Sequence, residues 1–220
     1  MFLLVPGILG YGWEWNGAQI ALARYPGATT LVYSWEPWDS MIAASARLTQ
    51  HIEYLQQRLP ASVRELIVVG HSASGLLAVS AASQLRAPPV GASGRQVRVR
   101  MLVVGAPLAG MGRNLWGGED MHHTPLALAL GSRITGWPEP SPHVTLEIYA
   151  TGPDDPVMQR TFGHDPGNRR ILPRRALLRP LPPAVGHNRA LTWLFEQLLD
   201  EELARLRASA KTEPYRAAAR

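Results

Sequence analysis

Val68-Val69-Gly70-His71-Ser72-Ala73-Ser74-Gly75 joins two different periodicities. The apolar, β-branched run Leu66 to Val69 stops at a glycine, and a serine follows two residues later. Small residues then open a helical pattern over Gly75 to Leu85. The order is strand, sharp turn, helix, with Ser72 at the apex. A serine at such an apex has a strained backbone, and its Oγ stands clear of the sheet. Small residues two before and two after it let strand and helix approach closely.

Upstream of this turn, Phe2 to Val5 reads as a buried strand, and Pro6-Gly7-Ile8-Leu9-Gly10-Tyr11-Gly12 as a glycine-rich loop. Trp13 and Trp15 come next and fit either core anchors or pocket walls. Asn16 is an N-cap candidate for a short helix to Arg24. Thr29 to Trp35, with its strand formers, reads as the second strand. Asp39 is then read as the N-cap of a long helix. Ile42, Ala46, Leu48, Ile52, Leu55 and Leu59 recur at spacings of three and four, which makes it amphipathic. Pro60 ends it, and His51 and Glu53 are expected on its surface.

Downstream, Pro88 to Gly94 is a loop and Val97 to Val104 a strand that ends in Gly105-Ala106-Pro107-Leu108-Ala109-Gly110. Met111 to Pro142 is the least regular part of the chain. His143 to Ala150 alternates as a strand and runs into Thr151-Gly152-Pro153-Asp154-Asp155-Pro156-Val157. Ala176 to Leu181 reads as the last strand. Val185-Gly186-His187-Asn188 then leads into apolar residues at helical spacing, Leu191, Leu194, Phe195, Leu198 and Leu199. Residues 1–208 form one expected domain, and residues 209–220 a flexible polar tail.

Gly70-His71-Ser72-Ala73-Ser74 resembles the Gly-x-Ser-x-Gly turn of the α/β-hydrolase superfamily, with Ser74 in place of the second glycine. The likeness extends over nearly the whole chain, because each further loop follows the expected strand. It implies a three-layer α/β fold of about six mostly parallel strands flanked by helices, like the small lipase and esterase members. It also implies a reduced N-terminus and, over residues 111–142, a small lid or none. The resemblance makes Ser72 the nucleophile, Asp155 the acid and His187 the base, in the family's Ser…Asp…His order. Asp154 is the near alternative to Asp155. His164 competes with His187 but falls before the final strand. His71 is too close in sequence to act on its neighbour. The backbone N–H groups of Ile8 and Ala73 would form the oxyanion hole, although Pro6 stands where the family often has histidine. The loop after Val104 resembles a Gly-Thr-Pro-His-x-Gly-Ser loop of lipases, from which Ala106 and Leu108 depart. Trp13 and Leu108 are the candidate substrate-binding side chains.

The implied reaction is hydrolysis of a carboxylic ester through an acyl-enzyme. The same triad would serve a thioesterase or an acyltransferase, and the fold also hosts non-catalytic binding modules. No cofactor is called for. Glu119, Asp120, His122 and His123 lie on an unpatterned loop without zinc-type ligand spacing, so no metal site is expected. The chain has 220 residues, 46% of them hydrophobic, and no cysteine. This composition supports a sizeable core and rules out disulfides and thiolate chemistry, and it fits a reducing compartment. Met1 to Val5 has no basic leader and is interrupted by Pro6-Gly7, too short for a signal peptide or a membrane span. The expected location is the cytoplasm, with a small-molecule acyl ester as the partner. Net charge is +5, almost all of it from arginine, since Lys211 is the only lysine. The densest cluster is Arg169, Arg170, Arg174, Arg175 and Arg179. It fits a solvated surface, or contact with phosphate or an anionic membrane surface. No nucleic-acid motif accompanies it, so no nucleic-acid partner is expected.

Overall fold

The computed structural model describes residues 1–7, 15–23, 27–36, 39–60, 62–87, 96–108, 136–150 and 172–182. It also describes residues 193, 194, 196, 200, 201, 203–205, 207 and 208. Six strands, β1 (Phe2–Val5), β2 (Thr30–Val32), β3 (Glu65–His71), β4 (Arg98–Val104), β5 (Val144–Ala150) and β6 (Leu177–Pro180), form one sheet in the order β2-β1-β3-β4-β5-β6. Every neighbouring pair is parallel. Three helices join the first four strands: α1 (Asn16–Ala23), α2 (Met41–Arg58) and α3 (Ala73–Gln84).

Strands buried on both faces read as continuous apolar runs, and β1 and β3 are buried at every position. Alternate residues divide between two cores. Leu3, Val5, Val68, Met101, Val103 and Ile148 meet Leu48 and Ile52 of α2 and Leu76 and Leu77 of α3 on one face. Phe2, Leu4, Ile67, Val69, Val104 and Tyr149 meet Trp15, Leu22 of α1, and Leu194 and Leu203 on the other. Described residues between 193 and 208 are helical, so helices cover both faces and the architecture has three layers. Right-handed crossovers account for this division. The chain steps one way from β1 to β2, then back past β1 to β3 and on to β4, so α1 lies opposite α2 and α3.

Two local readings change. The α2 N-cap is Ser40, whose Oγ accepts the Ala43 N–H at 3.1 Å. Asp39, one residue earlier, instead pairs with the Arg47 guanidinium. Both are good N-cap residues, and the nearby arginine draws the carboxylate away from the helix end. The second strand is only Thr30–Val32 rather than Thr29 to Trp35. It lies at the sheet edge, and Trp35 leaves the strand direction so that its indole donates to the Pro6 carbonyl.

The strand order reverses between β1 and β3. Val5 faces Gly70 in register, so Pro6 and Gly7 leave the sheet beside His71 and Ser72. In an open parallel sheet the crevice at such a reversal, at the carboxyl ends of the strands, is where ligands bind.

Candidate active site

Ser72 sits at that crevice with φ 56° and ψ −127°. Among the described residues it is the only non-glycine residue with positive φ. An L-residue in this region carries roughly 1–3 kcal/mol of strain. Two backbone hydrogen bonds hold it there. Its N–H donates to the Val104 carbonyl at 3.0 Å, and its carbonyl accepts the Gly75 N–H at 3.0 Å. Glu65 to His71 and Ala73 to Val79 are all buried, whereas Ser72 between them is partly exposed.

Ser72 also occupies the N-cap position of α3. A capping serine ordinarily turns its Oγ back onto the second or third helical N–H. Here, with φ 56° in place of the usual extended N-cap backbone, it makes no capping bond. Ala73 is the first residue of α3 and is buried. An N–H at this position has no intrahelical acceptor, and the positive end of the helix dipole lies here. Ser72 Oγ and Ala73 N–H therefore share the positive end of one helix.

Close packing sets this turn. A Cβ on Gly70 would lie 2.9 Å from the Ser74 carbonyl oxygen. One on Gly75 would lie 2.5 Å from Ala106 Cβ and 2.9 Å from Val103 Cγ1. Gly75 is a requirement that the sequence reading missed. In the sequence it marks only the opening of a helical pattern, and its neighbour Ala106 is on another strand's exit loop. Ser74, where the family pattern has glycine, is fully buried. Its Oγ accepts the His71 N–H at 2.9 Å, and its one proton serves the Val5 carbonyl at 2.6 Å and the His71 carbonyl at 2.8 Å.

Other expected site residues fall as follows. Leu108 is fully buried within the main core. Its carbonyl accepts the Trp137 indole N–H at 2.7 Å, which fixes the loop leaving β4. His71 is buried with its ring edge-on to Trp15, 6.4 Å between centroids, so it packs in the sheet's other face. Trp15 is a core anchor. Ile8, Trp13, Asp154, Asp155, His164 and His187 lie outside the described residues, as do most of the 111–142 segment and the 209–220 tail. Glu119, Asp120, His122 and His123 lie outside them too. Among the described residues, no group of three His, Cys, Asp or Glu side chains is placed to hold a metal ion. No helix among them is long and apolar enough to cross a membrane.

A buried charge network was not foreseen. Glu147 of β5 takes Arg100 Nε of β4 at 2.7 Å on one oxygen. Its other oxygen takes Arg179 Nε of β6 and the Tyr149 hydroxyl, both at 2.8 Å. Burial pushes the Glu147 carboxyl up, but the Tyr149 hydrogen bond and the two guanidinium groups hold it below its ordinary value. The same burial and the Glu147 charge push the Tyr149 phenol up. The late arginine cluster is therefore partly structural. Arg179 serves Glu147, and Arg175 reaches the carbonyls of Pro140 at 3.3 Å and Pro142 at 3.4 Å. The Arg174 and Arg175 backbone N–H groups donate to Glu139, which lowers its carboxyl pKa.

No protein-family model matches the sequence, and no curated protein matches it. Solved structures do. A candidate hydrolase from Agrobacterium vitis S4 superposes with a TM-score of 0.55 at 14% identity, over 94% of this chain and 87% of that one. A bromoperoxidase from Bacillus anthracis gives 0.52 at 12% identity, over 96% and 91%. An esterase from the hyperthermophilic archaeon Pyrobaculum calidifontis gives 0.51 at 15% identity, over 95% and 74%. The chain has the α/β-hydrolase fold. At these identities the likeness is one of architecture.

Proposed function

We propose that the chain is a serine hydrolase that cleaves a small carboxylic ester through an acyl-enzyme. One observation carries the reading. Ser72 has a strained backbone and is partly exposed, its hydroxyl does not cap its own helix, and it stands at the strand-order reversal of an α/β-hydrolase sheet.

The roles follow from chemistry. A serine hydroxyl is a weak nucleophile at neutral pH, so it needs a base. In this reading His187 takes the proton as Ser72 Oγ attacks the carbonyl carbon, and Asp155 holds the imidazole tautomer and stabilises the imidazolium. The Ala73 and Ile8 N–H groups receive the developing oxyanion. Losing one such donor costs about 3 kcal/mol of barrier. His187 then protonates the departing alcohol, and a water deprotonated by the same histidine releases the acid. The absence of cysteine fits a reducing compartment, and the cytoplasm is the location we assign.

The test is fluorophosphonate labelling read by intact mass and peptide mapping, with Ser72→Ala and His187→Ala alongside. The expected result is a single adduct on Ser72, absent from the first variant and suppressed in the second. Folded wild-type protein that takes no adduct overturns the reading and favours a binding module. A matched series of esters and coenzyme-A thioesters, with and without an alcohol acceptor, then separates ester hydrolysis from thioester hydrolysis and acyl transfer.

A further inference from the structure

Glu147 has more counter-charge than its burial requires. Without Arg179 both carboxylate oxygens still have donors: Oε1 takes Arg100 Nε at 2.7 Å, and Oε2 takes the Tyr149 hydroxyl at 2.8 Å. Arg100 is buried with Glu147, so one positive and one negative charge already balance inside the fold. Burial raises the Glu147 carboxyl pKa, the Tyr149 hydrogen bond and Arg100 do most to lower it, and Arg179 does least. Arg179 therefore brings a surplus charge, and that charge lies at the surface. Its side chain is 52% exposed, against 3% for Glu147. Only its Nε is engaged, at 2.8 Å to Glu147 Oε2, and among the described residues nothing takes its two Nη groups. A guanidinium held by one N–H with its outer edge open is a preorganised fork for a carboxylate or a phosphate. Register carries this fork to the level of the Ser72 turn. His71 faces Val104, Val104 faces Tyr149, and Tyr149 faces Arg179. Residues paired in this way share a face of the sheet, so His71 and Arg179 lie in one row, three strand spacings or about 14 Å apart. Ser72 follows His71 directly, and Arg179 is the third of the four residues of β6, near the carboxyl ends of the strands where ligands bind in an open parallel sheet.

We propose that Arg179 is a specificity-determining residue that receives a carboxylate or phosphate at the far end of the substrate, so that the preferred ester is anionic. This rests on the serine-hydrolase reading above and names the substrate class. Glu147 orients the guanidinium through Nε, while Arg100 and Tyr149 keep Glu147 ionised without using the outer edge of Arg179. The row fixes the kind of molecule. A substrate that reaches from Ser72 to Arg179 needs a chain of several carbons between its ester and its charge. The late arginine cluster thereby holds one member whose charge the fold's own carboxylate does not require.

The experiment uses the mono-p-nitrophenyl esters of glutaric, suberic and sebacic acids, each against the neutral alkanoate ester of the same carbon number. The proteins are wild type, Arg179→Gln, Arg179→Lys and a control, Arg98→Gln. Arg98 is exposed at the opposite, amino end of β4, so its loss makes the same change in net charge away from the crevice. Wild type should favour the anionic ester in kcat/KM, most for the longer acids. Arg179→Gln should lower kcat/KM for that ester by roughly 10-fold to 100-fold and leave its neutral partner within about twofold. Arg98→Gln should keep the whole preference. Arg179→Lys keeps a charge for Glu147 but has no second edge to offer, so it should lose most of the preference, and it decides the matter if Arg179→Gln does not fold. Inhibition by an alkyl phosphate and by the alkanoic acid of equal length then tells which anion is preferred, both requiring Arg179. If wild type shows no preference at any length, or the Arg179 variants lower both esters in parallel, the arginine is structural and the assignment is overturned. A chain labelled by fluorophosphonate yet indifferent to substrate charge overturns this assignment alone. Folded wild type that takes no adduct and cleaves neither ester refutes the serine-hydrolase reading itself, and the anion preference falls with it.

Discussion

Gly75→Ala sets two effects of opposite sign against each other. By helix propensity, alanine for glycine within α3 gains up to about 1 kcal/mol. By packing, the added Cβ would sit 2.5 Å from Ala106 Cβ and 2.9 Å from Val103 Cγ1. Carbon atoms in contact rest at roughly 3.5–4.0 Å, so α3 must retreat from β4 by about 1 Å. Neither neighbour is a flexible side-chain tip, because Ala106 has no further torsion and Val103 is wholly buried. Overpacking of this kind costs about 1–3 kcal/mol, at the upper end where the neighbours cannot yield. The net expectation is a loss of about 2 kcal/mol, or roughly 4–8 °C in Tm for a chain of this size. Urea denaturation should show a lower midpoint with an unchanged slope. Gly17→Ala is the matched control. It also lies in a helix, but its Cβ would meet nothing within 4 Å, so it should be neutral or slightly stabilising. A Gly75→Ala protein as stable as wild type, or two variants that shift the same way, would refute the close-approach account. Ester hydrolysis should fall in the Gly75 variant as well, because the retreating turn of α3 carries Ser72 and Ala73.

Three further outcomes are expected. Glu147→Gln leaves the buried Arg100 guanidinium opposite a neutral group and should cost about 3 kcal/mol or more by chemical denaturation. The same variant tests the sign of a pH effect. The folded-state carboxyl of Glu147 lies below its ordinary value of 4.5, so its contribution is fully present above that value and is lost as pH falls through the depressed one. The acid limb of the stability curve should therefore be shallower in Glu147→Gln than in wild type. Ser72→Gly removes a Cβ from a backbone at φ 56° and should raise stability by about 1 kcal/mol while abolishing fluorophosphonate labelling, whereas Ser72→Ala abolishes labelling without that gain. Ser40→Ala removes the α2 cap and should cost about 1 kcal/mol in thermal or urea unfolding, with kcat unchanged.

Legibility in the sequence followed the range of each interaction. β1 and the core of β3 are readable because burial on both faces leaves a continuous apolar run in the sequence itself, and β4 because it alternates first and then closes on the apolar run Met101 to Val104. The Ser72 turn was readable because strand, glycine, serine and helix are contiguous. The edge strand was overextended, since Tyr33 and Trp35 are good strand formers but Trp35 is taken by a carbonyl 29 residues away. Asp39 and Ser40 are both good caps, and the arginine eight residues on that settles the choice is no part of a capping signature. Glu147 sits among apolar neighbours in β5, and its partners Arg100 and Arg179 are 47 and 32 residues distant, so the sequence offered no sign of the pairing. Of the candidate site, the turn at Ser72 is legible in the local pattern, and the role of Ala73 rests on the resemblance. Asp155, His187 and Ile8 rest on which loop follows which strand and lie outside the described residues.

The strained serine also explains why the glycines and small residues cluster around it. A φ of 56° at Ser72 is unfavourable by itself, so other contacts must favour it by more than its cost. The Val104 carbonyl fixes the Ser72 N–H from β4, and the Gly75 N–H fixes its carbonyl from α3. Gly70 lets α3 pack closely on β3, and Gly75 lets it pack closely on β4 and its exit. Ser74 adds a third attachment, to β1, from a side chain with no exposure. Each contact comes from a different strand or helix, so relaxing Ser72 would require several packed elements to move together. That is the physical condition for presenting a hydroxyl rigidly above a sheet. It also predicts an order of sensitivity: substitutions at Gly75 and Gly70 should lower stability and activity together, whereas those at Ser72 should separate the two.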